Sequence, residues 1–174
     1  QRQMCIRDST KVNNYLTPET PYAGETRVLH YLEVLRDEIG WDKVKEAVVK
    51  PLTGRKIGAY YGCMLLRPSR EMQFDDPENP KMLEDFIRAI GAEPVLYAQR
   101  NECCGGYMAV ENRAYAAKQA QKIVDNAKAQ GAELLITACP LCSYNLLHNT
   151  DGALPVVYFT ELLAEALGCG EEDA

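Results

Sequence analysis

Glu102–Cys103–Cys104–Gly105–Gly106 sets two neighbouring thiols beside two neighbouring glycines, and three further cysteines are arranged around it. Upstream, Cys63 closes the run Tyr60–Tyr61–Gly62–Cys63. Downstream, Cys139–Pro140–Leu141–Cys142 forms a C-x-x-C. Written out, the arrangement is C-x39-C-C-G-G-x32-C-x-x-C, five thiols in a chain whose other cysteines are Cys5 and Cys169. A disulfide framework accounts for it poorly, because a bridge between adjacent Cys103 and Cys104 would close a small, strained ring. Thiolates gathered on a metal are the better reading. Zinc sites and cubane clusters take four protein ligands, so a fifth thiol points to a different centre.

The segments between the cysteines place them. Lys56–Tyr61 is a short apolar run after a Thr53–Gly54 turn signal and reads as a strand. Asn79–Pro80 opens a helix whose Leu83, Phe86, Ile87 and Ile90 share one stripe, with Gly91 past its end. Pro94–Ala98 reads as a second strand. Glu111–Gln130 is an Ala-rich helix with Ala116, Ala120, Ile123 and Ala127 inward and Gly131 as its stop. Leu134–Ala138 is a third strand running into Cys139, and Pro140 suits the first turn of the next helix. Pro155–Tyr158 is a fourth, before a helix from Thr160 to Leu167 ended by Gly168. Strand and helix alternating at this spacing predict an α/β fold with a parallel sheet and helices on both faces, α/β/α. Cys63, the Cys103–Cys104 pair and Cys139 then each lie beyond the carboxyl end of a strand, the edge where open parallel sheets bind ligands.

Before this core the pattern is looser. Thr10–Gly24 is polar and Pro-containing, with Thr17–Pro18 and Thr20–Pro21 biased to extended or turn conformations, and reads as a connector. Val28, Leu32, Leu35 and Ile39 recur at helical spacing from Glu25 to the stop at Gly40, and Trp41–Val49 reads as a second short helix ended by Pro51. Gln1–Ser9 lacks an initiator and resembles translated adaptor read-through, so it is set aside as an assembly artefact. The resulting division is 1–9 artefact, 10–55 connector and N-terminal helices, 56–168 cysteine-bearing domain, and 169–174 acidic tail.

The chain has 174 residues, 47% of them hydrophobic, enough for one core. A net charge of −6 and a pI near 5.0 argue against nucleic acid and anionic membrane surfaces. No apolar run reaches the ~20 residues needed to span a bilayer. Seven cysteines in clustered spacing suit a reducing cytoplasm.

Tyr60–Tyr61–Gly62–Cys63, Arg67–Pro68, Asp75–Asp76–Pro77–Glu78–Asn79–Pro80, Cys103–Cys104–Gly105–Gly106 and Ala138–Cys139–Pro140–Leu141–Cys142 together resemble the cysteine-rich CCG domain of the heterodisulfide reductase B-type subunit, specifically the second of its two repeats. The likeness runs from about Asn14 to Gly168. It implies that Cys63, Cys103, Cys104, Cys139 and Cys142 hold a noncubane 4Fe–4S cluster, with Cys63, Cys103 and Cys104 carrying the catalysis. It implies that two such clusters cleave a disulfide such as the coenzyme M–coenzyme B heterodisulfide. It further implies a missing N-terminal CCG repeat, and partner subunits carrying ferredoxin-like iron–sulfur clusters and a flavin. Gly62, Gly105 and Gly106 are candidate cofactor contacts, letting backbone approach the sulfides and donate N–H groups.

Other readings stay open at this point. The same domain serves in electron transfer within lactate, glycolate or succinate oxidising complexes, and four of the thiols could hold structural zinc in an interaction module. Cys139–Cys142 alone could be a thioredoxin-like redox pair. Arg67, Arg70 and Arg100 stand near ligand loops, either as solvated charge or as partners for thiolates or an anionic substrate. His30 and His148 read as packing or surface residues, and Tyr60, Tyr61 and Tyr107 as pocket lining. An apolar face at the early helix or at Tyr60–Tyr61 is expected where a missing repeat packs.

Overall fold

Alternation along the central strands determines the layering. The computed structural model describes residues 2–23 and 27–169, with side chains from Ser9 onward. Strand β1 (Lys56–Tyr60) lies between β2 (Glu93–Val95) and β3 (Leu134–Thr137), and β4 (Val156–Tyr158) pairs beyond β3. All three pairings are parallel, in the order β2-β1-β3-β4. Ile57, Ala59 and Tyr61 point to one face with Leu134, Ile136 and Ala138, whereas Tyr60 and Leu135 point to the other. Both faces are covered, so these strands read as continuous apolar runs.

One face packs against α3 (Trp41–Ala47), α5 (Met82–Ala89) and α8 (Phe159–Ala166), with Phe86 and Phe159 meeting edge to face at 5.7 Å. Fully burying side chains of this size contributes about 1.5–3 kcal/mol each. The other face packs against α6 (Arg113–Ala129) and α7 (Pro140–His148). The α6 stripe is the one the spacing predicts: Ala116, Ala120, Ile123 and Ala127 are buried, and small residues let the helix lie close to the sheet. The α/β/α fold with a parallel sheet is therefore the observed one.

The ends differ more than the middles. Helix α5 begins at Met82 and is capped from a distance, since Asp75 Oδ2 accepts the N–H groups of both Lys81 and Met82 at 2.7 Å. Strand β2 stops at Val95, and Ala98–Asn101 forms a 3₁₀ turn instead of continuing it. The Val28–Ile39 helix is shorter than its periodicity predicts: α2 covers Tyr31–Glu33 and continues as a π-helical turn over Val34–Ile39. His30 caps it, accepting the N–H of Leu32 at 3.1 Å while its own N–H bonds Glu33 Oε2 at 2.8 Å. Residues Arg2–Leu16 form α1, so Thr10–Leu16 is helical where connector was expected. A short α4 (Ser69–Met72) follows the cis Arg67–Pro68 bond. Among the described residues no helix is long and apolar enough to cross a membrane.

Strand order reverses between β1 and β3, because the chain leaves β1 toward β2 and returns on the other side. The crevice at such a reversal is where open α/β sheets place ligands. Cys63 follows β1 and Cys139 follows β3, one on each side of it.

Candidate metal centre

Three loops bring the five thiols together at that crevice. After β1 the chain turns at Gly62, which has φ +66 and stands so close to Cys142 that a Cβ would fall 2.8 Å from its Sγ. Glycine is required on both counts. Cys63 follows, half-exposed, with its carbonyl accepting the N–H groups of Leu66 and Arg67 at 3.2 and 3.0 Å.

The second loop leaves the 3₁₀ turn after β2. Tyr61 N–H donates to Arg100 O at 2.8 Å and Tyr60 Oη donates to Glu102 O at 2.8 Å, so the β1 exit and the Cys103 loop are tied directly. Cys103 is exposed and its Sγ lies 3.7 Å from Cys63 Sγ. Cys104 is buried, its carbonyl accepting Asn145 Nδ2 at 2.7 Å. Gly105, at φ +77, turns the chain so that its N–H meets Cys103 Sγ at 3.4 Å and the Gly106 N–H meets Cys104 Sγ at 3.3 Å.

The third loop is the β3–α7 junction. Cys139 occupies the N-cap position, Pro140 the first turn, and buried Cys142 follows one turn on, 3.6 Å from Cys104 Sγ. One side chain fixes the residue before Cys139: Tyr158 Oη donates to Ala138 O at 2.7 Å. His30 packs against Phe74 and Phe159, the packing role read for it.

Charge divides the thiols. The Cys142 thiol donates toward Cys104, and with the Gly106 N–H and Asn145 it lowers Cys104 to about 6 against the penalty of burial. Cys139 is also lowered to about 6, by the Cys142 thiol and then by the N–H groups of Cys142 and Leu141 at the helix start. Cys142, between two such neighbours, is pushed strongly up and keeps its proton. Cys63 is raised to about 11 by burial and by the neighbouring Cys103.

The donor set fits an iron–sulfur group in chemistry: five sulfur donors, and backbone N–H groups directed at two of them. As placed, no three histidine, cysteine, aspartate or glutamate side chains among the described residues converge closely enough to hold one metal ion. The thiols stand instead as two contacting pairs, with Cys139 beside the inner one.

Of the remaining candidates, Cys169 is exposed past α8, and the side chain of Cys5 lies outside the described residues. Tyr60 and Tyr61 are fully buried, Tyr60 packing among Cys104 and Cys142. They leave no apolar face; Met64, Tyr107, Val110, Tyr144 and Leu147, in the segments that carry the thiols, are exposed. Arg67 is occupied by Asn101 O, Pro77 O and Glu78, and Arg100 by Asn79 and Glu84, so neither is free for an anionic substrate. Sequence reasoning missed Asn145. Its signal was present, since it lies three residues after Cys142 on the same helical face.

A family profile described as a cysteine-rich domain, CCG, matches residues 57–147. The 8-methylmenaquinol:fumarate reductase membrane anchor subunit of Wolinella succinogenes is 30% identical over 91% of this chain and 58% of its own length. The B-type subunit of the ferredoxin:CoB-CoM heterodisulfide reductase of Methanosarcina mazei is 30% identical over 84% of this chain and 52% of its own. A protein of Archaeoglobus profundus, described as like the heterodisulfide reductase B-type subunit, is 29% identical over 93% and 59%. The chain thus spans somewhat over half the length of these relatives.

Proposed function

We propose, from the premise that the chain belongs to the cysteine-rich CCG domain family, that it is an iron–sulfur redox module corresponding to the C-terminal half of a protein like the heterodisulfide reductase B-type subunit. Cys63, Cys103, Cys104, Cys139 and Cys142 would hold a noncubane 4Fe–4S cluster, which supplies the electrons for cleaving a disulfide. The observation that carries the reading is that three neighbouring loops bear the five thiols as two contacting pairs with Cys139 beside the inner one, while Gly105 and Gly106 direct N–H groups at Cys103 and Cys104.

The chain's own residues divide the work. Buried Cys104 and Cys142, with Asn145 behind them, anchor the inner side. Exposed Cys103 and half-exposed Cys63 face outward, so an incoming sulfur substrate meets them first. With one thiol more than the four a cubane takes, the chain would keep hold of the group while an outward position stays open to a substrate sulfur. The relatives' names suggest CoB-CoM heterodisulfide as the substrate type and ferredoxin as the donor, and the resemblance to the B-type subunit adds an N-terminal CCG repeat, a ferredoxin-like iron–sulfur subunit and a flavin-carrying partner to the proposal. Within a longer chain bearing both repeats, Cys103→Ser or Cys104→Ser should abolish disulfide reduction while the protein stays folded, and Cys169→Ser should change nothing. An unchanged reductase rate in both paired-cysteine variants would make those thiols structural and refute the mechanism.

A second reading has its own support. The Wolinella succinogenes relative is named for a quinol:fumarate reductase, in which electrons would pass through the domain with no disulfide involved. The same variants separate the two: there, disulfides are never reduced and the loss appears in electron transfer to the acceptor.

A further inference from the structure

Behind the outer pair of thiols lies a buried polar knot that the cluster chemistry does not itself require. Glu84, on α5, is 2% exposed, and it accepts a short hydrogen bond from Tyr61 Oη. Tyr61 Oη in turn accepts the Leu83 N–H at 2.8 Å. Arg100 Nε stands 3.2 Å from the other carboxylate oxygen, an ionic contact without hydrogen-bond alignment that leaves both atoms buried and otherwise unbonded. Arg100 Nη2 continues to Asn79 Oδ1 at 2.8 Å.

As a stabilising device this is poor. Taking both charges out of water costs more than an imperfectly aligned contact returns, and apolar residues of equal volume would serve the core as well. What the knot does is geometric. Tyr61 lies two residues before Cys63, Arg100 three before Cys103, and Glu84 touches both. A charge buried with two partners admits one arrangement of them, because slipping either loop leaves an uncompensated ion in the core.

We propose that Glu84 is a positioning residue: it locks the Cys63 loop to the Cys103 loop and so sets the separation of the two outward thiols, without touching the reacting atoms. This rests on reading those thiols as ligands, but it concerns the protein alone, so it is tested on the metal-free chain. The inner pair, Cys104 and Cys142, is held by Asn145 and serves as an internal reference.

The test is disulfide formation by diamide, in which two thiols lose their hydrogens to the N=N bond, giving one S–S bond and a hydrazine. Peptide mapping then reports the rate of Cys63–Cys103 bridging relative to Cys104–Cys142 bridging. Sulfur pairs react only from near-contact geometry, so Glu84→Gln should slow the outer bridge about tenfold relative to the inner one. Arg100→Gln should do the same, and the double variant should be no slower than the worse single one, because both act through one contact. Near-unchanged relative rates, or equal slowing of both bridges, would overturn the proposal; equal slowing would mean a general loss of fold. If Glu84→Gln melts below the assay temperature, the Arg100→Gln ratio decides alone. A wild-type outer bridge that forms normally while iron fails to bind would sink the cluster reading and leave this one standing.

Discussion

The outer and inner thiols of this site occupy the same crevice but are built on different principles. Cys63 and Cys103 face outward, 3.7 Å apart, and burial with mutual proximity raises Cys63 to about 11. Cys104 and Cys142 lie inside, 3.6 Å apart, with Cys104 lowered to about 6 by the Cys142 thiol, the Gly106 N–H and Asn145. Each side receives one backbone N–H, but the inner side adds the Cys142 thiol and Asn145 to stabilise thiolate, whereas the outer side is held by loop ties that leave its sulfurs accessible. On the proposed function, an anchoring side and a reacting side would need these opposite provisions.

Ligand replacement breaks the comparison most sharply. Cys104→Ser or Cys142→Ser should prevent iron from being retained after reconstitution. Cys103→Ser should keep a larger share of the iron but change its paramagnetic signal, since an inner anchor remains. Iron analysis beside electron paramagnetic resonance reads both, and equal losses in all three would erase the distinction.

Next is the glycine that joins the sides. Gly62→Ala places a methyl group 2.8 Å from Cys142 Sγ in a backbone with positive φ, which should cost about 2–4 kcal/mol in denaturant unfolding. Gly131, also positive in φ at +88 but with open space around it, should cost only about 1–2 kcal/mol as alanine. Equal costs would mean that the close approach to Cys142 is not real.

Charge gives a smaller contrast. In the metal-free chain at pH 7, Cys139 is mostly thiolate and Cys63 mostly thiol. Iodoacetamide should therefore label Cys139 faster by a factor on the order of tens, allowing for the lower nucleophilicity of the more acidic thiol. The Cys139 rate should fall as pH drops through about 6, while the Cys63 rate should still be climbing toward pH 11. Matching pH profiles would contradict the division.

The smallest effect belongs to His30, behind the inner loop. Burial lowers its pKa below 6.5, outweighing the upward pull of the Ala138 backbone. The unfolded chain then takes up the proton first, so stability is full above about pH 6.5 and declines as pH falls below it. His30→Gln should remove that share of the acid slope, by an amount below about 1 kcal/mol. An unchanged slope would place His30 in solvent.

How much of this was legible in the sequence follows the range of the forces involved. The α6 stripe, the β3–Cys139 junction and Pro140 at the first turn of α7 are local patterns, and each sits where its spacing predicts. Tyr60 and Tyr61 were legible as strand residues beside the site, but nothing local shows that their hydroxyls reach Glu102 and Glu84. Glu84 itself reads as one more charge on an amphipathic helix; only the fold brings Tyr61 and Arg100 to it. Asp75 capping α5 and Tyr158 reaching the Ala138 carbonyl are likewise contacts between distant residues. The N-terminal misreadings are of another kind: the polar composition of Thr10–Leu16 resembles a connector, yet the segment is helical.

The central claim is that this thiol set takes an iron–sulfur cluster and not zinc, and it is tested most directly by anaerobic reconstitution of the chain with iron and sulfide in competition with zinc. The account predicts about four irons with matching sulfide per chain, a reduced or oxidised form that is paramagnetic, and loss of both in Cys104→Ser. One zinc per chain, no sulfide, and silence in electron paramagnetic resonance would contradict it.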